Sequence, residues 1–521
     1  MKLLVDAITL NPGEDQSLLK ERVREIYGID REFDLTIARK SLDARKKDRI
    51  VYRYRVIIDI EDAAGKSLLT KSGISVYEQK IVPAIPRKKI EERVLIAGSG
   101  PAGLFCALRL IEAGAAVEIF ERGKAVEERM RDIEMLERQG VLNERSNVLF
   151  GEGGAGTYSD GKLTSRTRRP EIDWFFTMMV ECGAPPSILY EAKPHIGTDR
   201  LRVIVAAIRR MIVSSGSQVH FNESVDDIIV YGGSLRGVIT SQGREVTGSR
   251  LVMAIGHSAR DTYEMLSSRG VALERKGFAM GVRIEHPAEL INEIQYGRSP
   301  YRDQLPAADY ALTAVNRSSG RGIYSFCMCP GGRIINSSSE QERLCTNGMS
   351  FSKRNHPFSN AAIVVTVSPD DFGADALGGI SLQRAAEADA YAGGGGSFTA
   401  PAQRVTSFLS GMIDAELPPV SYRPGVVPAD LARHLPAWLA DELKTGLAQF
   451  DRKMKGFVSN SGVLVGVETR TSSPVRITRN SNFQSVAVRG LYPVGEGAGY
   501  AGGIVSSAVD GIRCADAILG E

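Results

Sequence analysis

The sequence predicts a mixed α/β protein in three parts: a small N-terminal α+β domain, a parallel-sheet unit, and an α+β domain inserted into that unit. Three observations predict it. A strand, glycine turn, helix and second strand follow one another between Val94 and Glu121. Glycine-rich, strand-like sequence of the same character returns only from Phe457. The stretch Ile50 to Ile60 alternates apolar and charged residues, the period of a half-buried strand.

At 521 residues the chain exceeds one ordinary core, so two or three domains are expected. The expected parts are 1–90, 91–264, 265–455 and 456–521, the second and fourth forming one unit. In the first part, residues 3–8 and 33–38 read as strands and 15–27 as a helix. Val82-Pro-Ala-Ile-Pro86 with Arg87-Lys-Lys89 reads as a linker. In the second, an arginine-rich stretch to Asn147 leads into a glycine-rich loop, Phe150 to Lys162, and Asp199–Val213 has the spacing of an amphipathic helix. Short strands follow from Val219 to Met253, turning at Gly232-Gly233 and Gln242-Gly243. The third part carries scattered strand and loop signals, and the fourth ends in a terminal helix.

Bulk properties bound the function. A net charge of +3 gives no global argument for a nucleic-acid or membrane partner. No uncharged apolar run reaches the roughly 18 residues that span a bilayer. The start, Met1 to Asp6, lacks the apolar run of a secretion signal. Six cysteines in a chain of this length do not form a disulfide framework, so a cytoplasmic home is expected.

The strongest local signal is Val94-Leu-Ile-Ala97, then Gly98-Ser-Gly100-Pro101-Ala102-Gly103, then a helix over 104–112 and an apolar segment ending Phe120-Glu121-Arg122. Gly98 permits the tight turn out of the strand, Gly100 lets the backbone approach a pyrophosphate, and Gly103 lets the helix pack close to the strand. The pyrophosphate would face the helix N-terminus, and Glu121 would accept from the adenosine ribose hydroxyls. This is a Rossmann-like dinucleotide site. A second match, Gly151-Glu-Gly153-Gly154-Ala-Gly156, is followed by the polar Thr157 to Lys162 rather than an apolar helix, and so predicts no separate NAD(P) domain.

Two further strands run into glycine: Leu251-Val-Met-Ala-Ile-Gly256, and Leu491-Tyr-Pro-Val-Gly495-Glu496, the latter leading to Gly502-Gly503-Ile504 and the last helix. With these three motifs in order, the chain resembles the glutathione-reductase-like class of FAD proteins. The resemblance implies FAD as cofactor. It places Glu496 near the ribityl–pyrophosphate region, the helix after Gly502-Gly503 at the N1/O2 edge of the flavin, and the backbone of Val225 at the adenine. A narrower resemblance covers nearly the whole chain. Its motifs include Ser41-Leu-Asp-Ala-Arg45, Gly151 to Lys162, Gly256-His-Ser-Ala-Arg260, Phe326-Cys-Met-Cys-Pro-Gly-Gly332, Asn347-Gly-Met-Ser350, Ala400-Pro-Ala-Gln-Arg404 and Glu468-Thr-Arg-Thr-Ser-Ser-Pro474. On these the chain is similar to the uncharacterised bacterial family of FAD-dependent, NAD(FAD)-utilising dehydrogenases, which implies a fold and a cofactor and leaves the reaction open.

The expected function is that of a FAD-dependent oxidoreductase passing a hydride between a small-molecule substrate and flavin N5. With no second Rossmann half, NAD(P)H enters as a transient donor at the flavin face, or another donor serves. The alternative is a non-redox FAD-binding protein whose basic N-terminal domain docks a macromolecule. The segment Arg39 to Arg55 carries eight basic residues against Asp43 and Asp48, which reads first as a solvated face; without aromatic stacking motifs the case for nucleic acid is weak. In the Gly151–Lys162 loop, Gly154 and Gly156 expose backbone N–H groups, and Lys162 would balance phosphate or reduced flavin. Cys327 and Cys329 read as pocket wall, as a redox or nucleophilic pair, or, with Cys345 and His356, as metal ligands, although that spacing matches no zinc pattern and no metal is expected. Arg470 would hold an anionic substrate by bidentate contacts, or form an ion pair with a local carboxylate. His257 would act as acid or base, or cap a turn; His195 has the same two readings.

Overall fold

The parallel sheet lies at the centre of the chain's organisation because its inner strands are covered on both faces. Val94–Ala97 and Val117–Phe120 are buried at every position, as strands covered on both faces must be. The computed structural model describes residues 1–78, 90–164 and 169–520; the expected linker at 82–89 lies outside the described residues.

The first domain is a four-stranded antiparallel sheet ordered Asp34–Asp43, Val51–Asp59, Lys2–Leu10, Ile74–Val76. Helix Leu18–Tyr27 lays Leu19, Val23 and Tyr27, one face at helical spacing, on that sheet. Within the basic segment, Arg45 and Arg53 pair with Asp43, and Arg55 pairs with Asp6. Lys40 exchanges two backbone hydrogen bonds with the Tyr190–Ala192 segment, at 2.7 and 2.8 Å, and Lys47 Nζ donates to the Ile294 carbonyl at 2.7 Å. Part of the basic strand is thus a seam between this domain and the rest of the chain.

The nucleotide-type unit is a five-stranded parallel sheet ordered Leu491–Pro493, Leu251–Met253, Val94–Ala97, Val117–Phe120, Gln218–His220. The helices Pro101–Glu112 and Ile504–Gly520 pack on it side by side, and bury almost every residue at their contact. Val225–Tyr231 and Ser234–Thr240 form the expected hairpin, with Gly232 and Gly233 at φ +58° and +70°, the mirror-image turn that matches strand twist. Helix Val126–Gln139 occupies the arginine-rich stretch, where its many charges hide the apolar stripe Val126, Ile133 and Leu136.

The inserted domain carries a seven-stranded sheet ordered Thr313–Val315, Gly322–Cys329, Phe358–Val367, Phe278–Pro287, Val463–Glu468, Ala400–Arg404, Val426–Pro428. Helix Ala437–Lys453 covers it with Leu439, Leu443, Leu447 and Phe450. The boundary expected at 456 is corrected by the strand pairing. Val463–Glu468 pairs antiparallel with Phe278–Pro287, Leu464 opposite Ile284, so the insert runs from Phe278 to Glu468. An apolar strand announces burial but not which sheet it joins. Among the described residues, no helix is long and apolar enough to cross a membrane, and no group of three or more His, Cys, Asp or Glu is placed to hold a metal.

Candidate functional site: a cleft between two glycine loops and the inserted sheet

A single cleft, with about 1530 Å³ of empty space including its solvent-open mouth, runs along the C-terminal edge of the parallel sheet and under the inserted domain. One wall is backbone. Gly98 leaves the first strand at φ +101°, and a Cβ there would sit 2.5 Å from the Ala254 carbonyl oxygen on the neighbouring strand. The second glycine motif forms no separate nucleotide domain; it folds onto the first. A Cβ on Gly154, itself at φ +61°, would come within 3.1 Å of Gly100 Cα. Only glycine allows the two loops this approach.

Buried side chains fix the approach. Arg129 is fully buried and donates to five loop carbonyls: Asn147 at 2.7 Å, Val148 at 2.8 Å, Gly151 at 3.2 Å, Glu152 at 2.7 Å and Gly154 at 3.0 Å. Nothing in the sequence singles this arginine out among its charged neighbours. Glu121 ties the first loop to the second. Its Oε2 accepts from the Ser99 N–H at 2.9 Å and Ser99 Oγ at 2.8 Å, and its Oε1 from the N–H groups of Gly123 and Gly151, both at 3.0 Å. Four donors fill a carboxylate's roughly four lone-pair sites. Glu121 lines the cleft as well, so these four bonds fasten the loops at the position where the ribose contact is expected.

The remaining expected cofactor residues fall along this cleft, with two exceptions. Pro101, Ala102 and Arg122 line it, with Arg122 donating to Asp261 at 2.9 Å. So do Gly156, Val225, Gly256, Lys162, Glu496, Gly502, Gly503 and Ile504. Gly103 and Gly495 lie just behind the lining, Gly103 against the Gly98 carbonyl and Gly495 against Ala102. Helix Ile504–Gly520 directs its N-terminus into the cleft, and added Cβ atoms on Gly502 and Gly503 would meet nothing within 4 Å. The Glu496 carboxyl accepts from the Gly503 backbone, and burial pushes it up to about 7 against the pull of Lys276.

The opposite wall forms where the inserted domain meets the parallel-sheet unit, and buried charge pairs tie the two together. Arg470 lines the cleft, but its guanidinium grips Glu387 in two bonds of 2.8 and 2.7 Å and Ser339 in a third of 2.6 Å. Arg260 grips the same carboxylate from the other side at 2.9 and 2.8 Å. The Arg470 guanidinium is thus paired with a carboxylate 83 positions away in the chain rather than with the local one expected. His257, hydrogen-bonded to Ser258 Oγ at 2.9 Å, is pushed down to about 4 by burial and by the Arg470 and Arg260 cations. It is neutral near pH 7 and has no proton to give as a general acid there. His195 sits away from the cleft lining, its Nε2 3.1 Å from the Ser352 carbonyl.

At the deep end Cys327 lines the cleft beside Phe326, Asn347 and Lys162, while Cys329 lies buried behind it. Lys162 is held 3.1 Å from Asp160 and donates to the Met328 carbonyl. Asp160 in turn accepts from Ser350 and from both arms of Arg354. Burial disfavours the Lys162 charge, but Asp160 and the two thiols outweigh it and hold its pKa above the ordinary value. Asp160, Arg354 and the Arg283–Glu468 pair carry no sequence signal that marks them as site residues; only their placement in three-dimensional space joins them.

The cradle fits FAD: two glycine loops in backbone contact, and two helix N-termini, Pro101–Glu112 and Ile504–Gly520, entering one cleft.

Comparison with known proteins agrees. Residues 277–471 match the family model described as FAD-dependent protein, C-terminal domain-like, and residues 4–59 match a domain of unknown function. A protein of Clostridium beijerinckii, described as uncharacterized, is 42% identical over 529 residues, covering 100% of this chain and 99% of that one. Distant likenesses among solved structures include glycine oxidase from Bacillus cereus, at 14% identity, 82% and 95% coverage and a TM-score of 0.32. Another is a flavoprotein/dehydrogenase from Cytophaga hutchinsonii, at 12% identity, 82% and 79% coverage and a TM-score of 0.33. The chain belongs to the family of FAD-dependent proteins that includes the Clostridium relative.

Proposed function

We propose that this member of a FAD-dependent family is an oxidoreductase of the glutathione-reductase-like class, exchanging a hydride between a small organic substrate and flavin N5. The observation that carries this reading is the continuity of one cleft, from the paired glycine loops, past Gly256 and Gly502, to Lys162, Cys327 and Asn347 of the inserted side. FAD supplies, when bound, two-electron chemistry that no side chain offers.

The chain's own residues do the rest. The Gly98–Gly103 loop and the first turn of helix Pro101–Glu112 would hold the pyrophosphate, and Val225 would meet the adenine. The N-terminus of helix Ile504–Gly520 favours negative charge at the ring edge that gains it on reduction. Glu496 keeps its proton up to about pH 7 and can donate a hydrogen bond from inside the cleft. Lys162 adds a fixed positive charge at the deep end. The inserted wall around Phe326 and Asn347 bounds the space left for substrate and keeps water from it. Among the described residues no second nucleotide unit stands beside this one, so NAD(P)H would act as a transient donor at the same face, in a cytoplasmic setting.

The test is the absorption spectrum of the purified chain followed by anaerobic titration with NADH and NADPH. A flavin band bleached by either nucleotide, or by a screened substrate, is the expected result. A chain that holds no flavin even after reconstitution overturns the reading.

A further inference from the structure

We propose that Cys327 is a nucleophilic thiolate at the substrate end of the cleft, and that the cleft takes a small soft electrophile which this sulfur captures covalently.

Four observations converge on that sulfur. Of the six cysteines, five are buried; Cys327 alone is half-exposed, and it opens on the cleft. Its backbone is at φ +43°, a left-handed conformation that is strained for a residue bearing a side chain. The conformation breaks the register of strand Gly322–Cys329 against Phe358–Val367 between Phe326 and Cys329. It thereby turns Cys327 toward the cleft and leaves Cys329 inside. It is held there by Arg283, which donates to the Cys327 carbonyl at 2.6 Å and to Cys329 Sγ at 3.7 Å while paired with Glu468 at 2.6 Å.

The charges around the sulfur favour its anion. Cys329, whose Sγ donates to the Cys327 carbonyl at 3.3 Å, favours the Cys327 anion most, and Lys162 and Arg283 add positive charge; burial and Asp160 oppose them. The balance holds the Cys327 thiol well below the ordinary range and the Cys329 thiol well above it, so one proton stays on the inner sulfur. Glu468 and Glu496 also face the site, and burial pushes both up to about 7, so below that pH they add little negative charge against the anion. Cys182, Cys345 and Cys514, by contrast, are all pushed up by burial.

The capture step balances without an added oxidant. With a carbon electrophile, an S–C bond forms at Cys327 as the bond to the leaving group breaks. With a disulfide, an S–S bond forms to one sulfur, and the other departs as thiolate and takes a proton from water. In the second case Cys329 can lose its proton, attack Cys327 and release the second thiol, leaving the pair as a disulfide. Capture itself is independent of the flavin; only the later fate of the captured group rests on the reading of the cleft as a flavin site.

The experiment uses the holoprotein, reduced and then freed of reductant under argon, with two probes: iodoacetamide for carbon and 4,4′-dithiodipyridine for sulfur. Peptide mass spectrometry locates the label, and the rate is followed from pH 5 to 9. Labelling is expected first at Cys327, about tenfold faster at pH 6 than for the same thiol in the urea-unfolded chain. Cys329→Ala and Lys162→Met should move the pH midpoint upward, and Lys162→Arg should restore it. Two thiopyridones released with an internal disulfide would show that Cys329 resolves the captured sulfur; one thiopyridone with a stable Cys327 adduct would overturn that resolving step while leaving capture in place. Cys327 labelled no faster than in the unfolded chain, or other cysteines labelled first, would overturn the proposal. A missing flavin band would sink the oxidoreductase reading and leave this labelling pattern untouched.

Discussion

The two walls of the cleft are built by opposite means. On the parallel-sheet side the shape is made by backbone, with Gly98 and Gly154 at positive φ, where a Cβ would collide or strain the chain. On the inserted side it is made by buried guanidinium–carboxylate contacts: Arg260 and Arg470 on Glu387, and Arg283 on Glu468. The first wall is sensitive to volume and the second to charge. Arg129, a buried cation serving five carbonyls, is where the backbone wall depends on charge as well.

The largest effect that would test this contrast is at Glu387. Replacing it by alanine leaves two buried guanidiniums facing one another, which should lower stability by about 3–5 kcal/mol. Glutamine should recover part of that loss. Urea denaturation followed by tryptophan fluorescence measures it, and a change below about 1 kcal/mol would break the idea that charge holds this wall.

Arg129→Leu should come next. It strands carbonyls of the second glycine loop and should cost about 3 kcal/mol, because hydrogen bonds to a charged donor are the stronger kind. If the variant keeps its flavin and its urea midpoint, the glycine contacts alone suffice and the contrast sharpens. Gly98→Val attacks the same wall by volume: strain at positive φ of about 1–3 kcal/mol should weaken flavin retention by roughly tenfold or more, read from the visible band after gel filtration.

The smallest effect is one of pH, and it should appear in both walls. Glu285 in the insert and Glu496 in the cradle have an ordinary value of 4.5, and burial pushes each up to about 7. Between those values the folded chain keeps protons that the unfolded chain has lost. Their contribution to stability is therefore full below about 4.5 and declines as pH rises through about 7. Glu285→Gln and Glu496→Gln, which mimic the protonated form, should each flatten the fall of the urea midpoint between pH 5 and 7.5. An unchanged slope in one variant would remove that residue from the account.

How far each wall can be read in advance depends on the same physics. Gly98, Gly100 and Gly103 announce a strand-to-helix turn because glycine's freedom is a local property, visible in the residue and its neighbours. The hairpin at Gly232-Gly233 and the strand runs at Val94 and Leu251 are legible for the same reason. Glu121 reads correctly as the end of a strand, but its loop-fastening bonds are not legible, since the four donors come from three separate stretches of chain. Arg470 reads as a candidate clamp, but its partner lies on helix Gly378–Gly393, which no sequence spacing connects to it. Val463–Glu468 is legible as a strand, and its apolar pattern does not say that it belongs to the inserted sheet.

The sequence by itself determined the elements whose causes are local: the Rossmann-like turn, the parallel apolar strands, the amphipathic helices and the glycine loops. Tertiary structure alone decided which loops meet, which carboxylate each arginine finds, and which of two neighbouring thiols faces the cleft. Backbone freedom and hydrophobic period are carried by consecutive residues. Charge pairing and exposure depend on distances between residues up to hundreds of positions apart, and those distances exist only once the chain has folded.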